Sequence, residues 1–116
     1  MSVLSDWEIK ELAEQHEMIS PFIDYSCKEK NGKRILSYGL GSYGYDIRLS
    51  PSQCLIFGGI QRGDCDPKNF DTDILKPAEL LEDENGQYFI LPPYGYCLGV
   101  AQEHLKLPRN VTVVAV

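Results

Sequence analysis

The sequence predicts a mostly-β domain, a barrel-like or jelly-roll-like sheet carrying one short N-terminal helix. Two observations predict it. Helix-period patterning is confined to the stretch before Pro21, and after Phe22 the apolar residues fall into short runs, several alternating with a period of two, punctuated by Gly and Pro. The chain of 116 residues, 43% hydrophobic and 24% charged, suits one compact domain over residues 1–116 and is too apolar to be disordered throughout.

The elements follow in order. Ser5 with Glu8 three residues later reads as a capping box, and Trp7, Ile9, Leu12, Ala13 and His16 recur at helical spacing, predicting a helix over about residues 6–16 with His16 partly buried. Pro21 ends any continuation. Tyr45, Ile47 and Leu49 alternate with Asp46, Arg48 and Ser50 and predict one strand, fed by the loop residues Gly39, Gly41 and Gly44. Cys54 to Phe57 is a short apolar run. Residues 61–73, rich in Asp, read as an exposed loop. Residues 75–81 fit either a helical turn or a strand. Asn85-Gly86 predicts a hairpin turn between residues 80–81 and 88–91.

After Pro92-Pro93, Tyr94, Tyr96, Leu98 and Val100 alternate with Gly95, Cys97, Gly99 and Ala101. That pattern predicts a strand whose small face lies against a neighbouring backbone or subunit. Val111 to Val116 is apolar and β-branched and reads as a buried strand. Because the sequence stops inside it, a continuation past Val116 is expected.

Composition narrows the function. A formal net charge of −6 opposes a nucleic-acid polymer as partner, since the phosphate backbone would be repelled. No run approaches the roughly 18 apolar residues of a membrane helix, and Asp6 and Glu8 stand where a secretory signal would be basic. A cytoplasmic location is therefore expected. Cys27, Cys54, Cys65 and Cys97 are widely spread with no C-x-x-C pair, which favours reduced thiols over a disulfide framework or a zinc site. A phosphorylated small molecule is compatible with local cations, for which Lys33, Arg34, Arg48, Arg62, Lys106 and Arg109 are candidates.

Four ordered segments carry a resemblance. Ser37-Tyr38-Gly39-Leu40-Gly41-Ser42-Tyr43 leads into Gly44-Tyr45-Asp46-Ile47-Arg48-Leu49. Asp66-Pro67-Lys68-Asn69-Phe70-Asp71 follows, and then the run from Leu98 to Pro108. Together they resemble the dCTP deaminase branch of the trimeric dUTPase superfamily, over about residues 18–116. The resemblance implies a dUTPase-like (β-clip) fold and hydrolytic deamination of dCTP to dUTP and ammonia. It implies magnesium with the triphosphate, and no zinc. It further implies a homotrimer with sites shared between subunits, and a glutamate acting as base and acid on the attacking water. The H-x-E and P-C-x-x-C elements of zinc deaminases are absent from the sequence. The alternatives are a dUTPase or a bifunctional deaminase–dUTPase, and a non-catalytic assembly or regulatory module.

The resemblance places the phosphate loop just after Val116 and the catalytic glutamate beyond it, so no residue of this sequence is assigned to catalysis or to substrate binding. Asp46 is the one metal candidate, because the resemblance puts it at the first-motif aspartate. The alternation instead has it paired with Arg48 on one strand face or capping the glycine-rich turn. Glu103 reads as the polar start of a loop, and the resemblance maps it to a structural segment.

Overall fold

A computed structural model describes residues 2–57, 66–69 and 71–116. In chain order the elements are α1 (Asp6–His16), β1 (Ile19–Ser20), β2 (Ser26–Lys30), β3 (Lys33–Leu40), β4 (Tyr45–Asp46), β5 (Leu49–Phe57), β6 (Leu75–Pro77), β7 (Leu81–Asp83), β8 (Gly86–Tyr88), β9 (Cys97–Ala101) and β10 (His104–Leu105). The chain divides into two compact units, Met1–Arg48 with Ala101–Val116, and Leu49–Val100. The mostly-β expectation holds, with α1 at the predicted position. The strands form four small sheets, and none closes into a barrel among the described residues.

In the first unit, α1 begins where Ser5 predicts it. The Ser5 N–H and its hydroxyl both donate to Glu8 Oε2, each at 2.8 Å. The helix ends at Glu17, which turns left-handed at φ 53° while the Met18 N–H donates back to the Leu12 carbonyl at 3.3 Å. Ile9 and Ala13, one turn apart, bury one face of α1. They form the core with Met18 and Ile19, against which Leu4, Leu12, Phe22, Leu40, Tyr45 and Val111 pack. His16 is exposed, contrary to expectation: it lies off the Ile9–Ala13 face.

Strands β2, β3 and β4 make an antiparallel sheet in that order. The β2–β3 turn is Asn31-Gly32, with φ 52° and 74°, the paired left-handed geometry of a tight hairpin. Gly39 is buried at φ 99°, and a Cβ there would collide with the Tyr25 carbonyl oxygen, so only glycine lets β2 and β3 close at this point. Strand β1 pairs antiparallel with β10, Ile19 opposite Leu105 and Ser20 opposite His104.

The predicted strand through Tyr45, Ile47 and Leu49 is interrupted. β4 stops at Asp46 and β5 starts at Leu49, because the backbone N–H and carbonyl of Arg48 are taken by the segment at residues 102–103 instead of a ladder. Val111–Val116 also departs from its predicted strand. It forms no ladder and is exposed beyond the half-buried Val111, whose N–H closes a turn onto the Pro108 carbonyl at 3.1 Å. β-Branched composition favours a strand only where a partner edge accepts it.

In the second unit β5 is the central strand, flanked by β6 and β9. It meets β6 antiparallel, Leu55 opposite Pro77 and Phe57 opposite Leu75. The open choice at residues 75–81 resolves into the short strand β6 and the start of β7, preceded by a single 3-10 turn, Thr72–Ile74. The predicted hairpin is β7–β8, with its register shifted by one residue. Asp83 pairs with Gly86, so the turn residues are Glu84 and Asn85 and the Asp83 carboxylate accepts from the Asn85 N–H at 2.7 Å. Of the predicted small face of β9 only Gly99 is closely approached, since a Cβ there would collide with the Leu49 side chain; Cys97 on the same face is exposed. The larger side chains Tyr96, Leu98 and Val100 remain exposed.

Candidate functional site

Among the described residues a polar constellation centres on Arg48. Its backbone N–H donates to Glu103 Oε2 at 2.8 Å and its Nε donates to Glu103 Oε1, also at 2.8 Å. Its carbonyl accepts from the Gln102 N–H at 2.8 Å. One carboxylate thus fixes both the main chain and the side chain of Arg48, while its neighbour fixes the remaining main-chain group. The Glu103 side chain is wholly buried and that of Arg48 is 25% exposed. Charge-assisted bonds of this kind are roughly twice as strong as neutral ones, and the Glu103 hydrogen bond holds the Arg48 guanidinium even more firmly protonated than usual.

Two tyrosines complete the surround. The Arg48 guanidinium carbon lies 5.0 Å from the Tyr38 ring centroid, a cation–π contact. Tyr45 stacks on Phe22 with centroids 5.6 Å apart, and its hydroxyl accepts from the Ile23 N–H at 3.1 Å. Burial pushes the Tyr45 hydroxyl above its ordinary pKa.

Asp46 stands apart from this cluster. It is exposed and its Oδ2 accepts from the Ser37 hydroxyl at 2.7 Å. The expected Asp46–Arg48 pairing is not formed: the break after β4 turns Arg48 toward Glu103, while Asp46 reaches the diagonal neighbour on β3. Among the described residues no group of three or more His, Cys, Asp or Glu side chains converges as a metal site. Among the described residues Asp46 thus belongs to no such group that could cage a hard cation.

The candidate cations are not gathered either. Lys33 and Arg34 open β3 beside the Asn31-Gly32 turn, Lys106 and Arg109 are exposed on the segment after β10, and Arg62 lies outside the described residues, as do Asp64 and Cys65. Within the Asp66–Asp71 hexapeptide the two aspartates organise turns. Asp66 Oδ1 accepts from the Lys68 N–H at 2.9 Å, and Asp71 Oδ1 accepts from the Asp73 N–H at 2.9 Å. Phe70, between them, lies outside the described residues.

These motifs are scaffold devices: a clamped arginine, a tyrosine strut and aspartate-capped turns. Residues 3–116 match the dCTP deaminase-like family, and the chain belongs to it. It is similar to the dCTP deaminase of Orientia tsutsugamushi (strain Boryong), 41% identical over 118 residues that cover 100% of this chain and 58% of that protein. It is likewise 40% identical over 116 residues to the dCTP deaminase of Rickettsia bellii (strain OSU 85-389), with 100% and 58% covered. With the dCTP deaminase of Paracidovorax citrulli (strain AAC00-1) it shares 40% identity over 114 residues, 98% of this chain and 57% of that protein. The chain thus spans little more than half the length of these curated relatives.

Proposed function

We propose that this chain is the scaffold part of a dCTP deaminase, the hydrolase that adds water at C4 of the cytosine ring and releases ammonia, leaving dUTP. The observation that carries the reading is family membership across residues 3–116, together with relatives named dCTP deaminase that align along the whole chain. The proposed contribution of these residues is positional. The Arg48–Glu103 clamp fixes the polypeptide at the end of the signature segment to the segment leading into β10, so both are held rigid at the base of the site.

The only buried polar or charged residue among those described is Glu103, and its two carboxylate oxygens are both occupied by Arg48. A general base must be free to take a proton from water. Glu103 is not, and we assign the base, by family resemblance, to the segment after Val116 along with the phosphate loop. Magnesium enters the proposal as a companion of the triphosphate. The described residues build no cage for it, so no step is routed through it. A homotrimer is also proposed, supported by the exposed side chains of Leu98 and Val100 on β9 and of Tyr96 just before it. A cytoplasmic location is proposed with it; no described helix is long and apolar enough to cross a membrane.

The test is a comparison of two proteins incubated with dCTP and magnesium: the 116-residue chain, and a product of the same gene extended past Val116. The expected result is ammonia and dUTP from the longer protein and none from the shorter. Turnover by the 116-residue chain would overturn the placement of the base. No deamination by the longer one would overturn the enzyme reading, and dUMP in place of dUTP would mark a bifunctional enzyme.

A further inference from the structure

Two Asn-Gly pairs occur in the sequence, and both fall at hairpin turns: Asn31-Gly32 between β2 and β3, and Asn85-Gly86 between β7 and β8. An asparagine followed by glycine is chemically labile, because the next main-chain nitrogen reaches the side-chain amide carbon with no Cβ in the way. The reaction needs that nitrogen free of hydrogen bonds and able to lose its proton. The two turns differ on both counts.

Lys30 pairs with Lys33, so Asn31 and Gly32 are the two central residues of the first turn. A β-turn ties the N–H of its fourth residue to the carbonyl of its first and leaves the third residue's N–H uncommitted. Gly32 is that third residue. Its N–H has no main-chain acceptor among the described residues, it is exposed, and a Cβ built on it meets nothing within 4 Å. In the second turn the frame is shifted by one. Asp83 pairs with Gly86, which makes Gly86 the fourth residue, half-buried and held in the β8 ladder. The Asn85 N–H is held as well, donating to Asp83 Oδ1 at 2.7 Å. Charge divides the two sites in the same direction. Lys28, Lys30 and Arg34 lie within three residues of Asn31, with Glu29 opposite Arg34 in the ladder, whereas Glu82 and Asp83 lie within three residues of Asn85. A cationic neighbourhood favours the anionic nitrogen and the oxyanion that follows it, and an acidic one opposes both.

We propose that Asn31 is a site of spontaneous deamidation, converting through a cyclic imide to aspartate and isoaspartate while Asn85 keeps its amide. The inference is independent of the deaminase reading. A solvent base takes the Gly32 amide proton, and the nitrogen attacks Asn31 Cγ. The Cγ–Nδ2 bond breaks, and ammonia leaves with a proton returned by water. Water then adds to either carbonyl of the five-membered ring, leaving a carboxylate at position 31. Opening at the side-chain carbonyl gives aspartate. Opening at the main-chain carbonyl gives isoaspartate, which adds a carbon to the main chain between Lys30 and Lys33 and breaks their pairing. Asn69 and Asn110 precede Phe70 and Val111, whose side chains hinder the same attack.

The experiment holds the purified 116-residue protein at mildly alkaline pH in low salt and follows a peptide map by mass. The amide-to-acid mass gain is read at Asn31 and at Asn85, and isoaspartate is detected with a carboxyl methyltransferase specific for it. The expected result is conversion at Asn31 about tenfold faster than at Asn85, since a hydrogen bond of about 1.4 kcal/mol must open first at Gly86. Gly32→Ala should suppress conversion at position 31 by placing a Cβ beside the attacking nitrogen. In concentrated guanidinium chloride the ladder is lost and the charges are screened, so the two rates should converge. No conversion at Asn31, equal rates in the folded protein, or a faster Asn85 would overturn the inference. So would a difference in rate that survives unfolding unchanged. The parent peptide map decides the matter even if the variant fails to fold.

Discussion

Glu103 grips Arg48 at two places, its main-chain N–H and its Nε, each at 2.8 Å, from a side chain that water does not reach. Removing the carboxylate leaves a guanidinium and a backbone donor without their acceptors. Breaking a buried ion pair from one side costs about 3–5 kcal/mol, and the partial exposure of Arg48 puts this case at the lower end. Glu103→Ala should therefore lower the urea midpoint by the equivalent of about 3 kcal/mol. The double variant Glu103→Met with Arg48→Met should recover part of that loss, since no charge is stranded. A double variant that is as unstable as the sum of its parts would show that the pair is not coupled.

The capping box at the start of α1 predicts a response to acid. The Glu8 carboxyl accepts from the Ser5 N–H and hydroxyl, and these bonds hold its pKa below the ordinary glutamate range. A carboxylate depressed in the folded state adds stability above its unfolded pKa and loses it as pH falls through the folded one. The helix end should consequently fray below about pH 4.3, the unperturbed glutamate value. Trp7, the single tryptophan, sits in the first turn and reports it by fluorescence. Glu8→Gln should remove the acid step; an unchanged fluorescence titration in that variant would assign the step elsewhere.

Gly32 and Gly39 both have positive φ, at 74° and 99°, but only one of them is crowded. A Cβ at Gly32 meets nothing within 4 Å, whereas at Gly39 it meets the Tyr25 carbonyl oxygen and Ile23 Cγ2. Gly32→Ala should cost only the left-handed backbone penalty, about 1–2 kcal/mol. Gly39→Ala adds a backbone collision inside the β2–β3 sheet and should cost more, upward of about 3 kcal/mol with the strain included. Thermal melts of the two variants give the ranking, and equal losses would mean that β2 yields freely at Tyr25.

How much of this was legible depended on how local the cause is. The α1 helix was readable because Ser5, Glu8 and the Ile9–Ala13 spacing act within a few residues. The mostly-β character was readable from alternation and turn residues. Asn31-Gly32 and Asn85-Gly86 are identical dipeptides, and as hairpin signals the sequence does not tell them apart; only at the first do both residues take positive φ as a two-residue turn requires. The Arg48–Glu103 clamp joins residues 55 positions apart. Periodicity cannot see such a contact, and it is what breaks the predicted strand after Asp46. For the same reason alternation pairs Asp46 with Arg48, two residues away, whereas its partner Ser37 stands diagonally across a strand pair. The family resemblance was carried by ordered segments such as 44–49 and 98–108, which needed no knowledge of those contacts.

Tyr45 joins the signature segment to the helix-bearing core, and its two contacts can be separated. The ring stacks on Phe22 while the hydroxyl accepts from the Ile23 N–H at 3.1 Å. Tyr45→Phe keeps the stack and strands the amide, so it should cost about 1 kcal/mol and accelerate hydrogen exchange at Ile23 selectively. Tyr45→Ala removes both and should cost about 3 kcal/mol, the lower end for an aromatic deletion at a site that is only partly buried. Alkaline pH gives an independent readout. Burial raises the Tyr45 hydroxyl above its ordinary value, so the unfolded state ionises first and stability is lost as pH rises beyond about 10. The neighbouring Cys27 thiol also raises Tyr38 above the ordinary tyrosine value. The diagnostic quantity is therefore the difference between the parent and Tyr45→Phe, whose alkaline limb should be shallower. Superimposable limbs would mean that the Tyr45 hydroxyl is as well hydrated in the folded protein as in the unfolded chain.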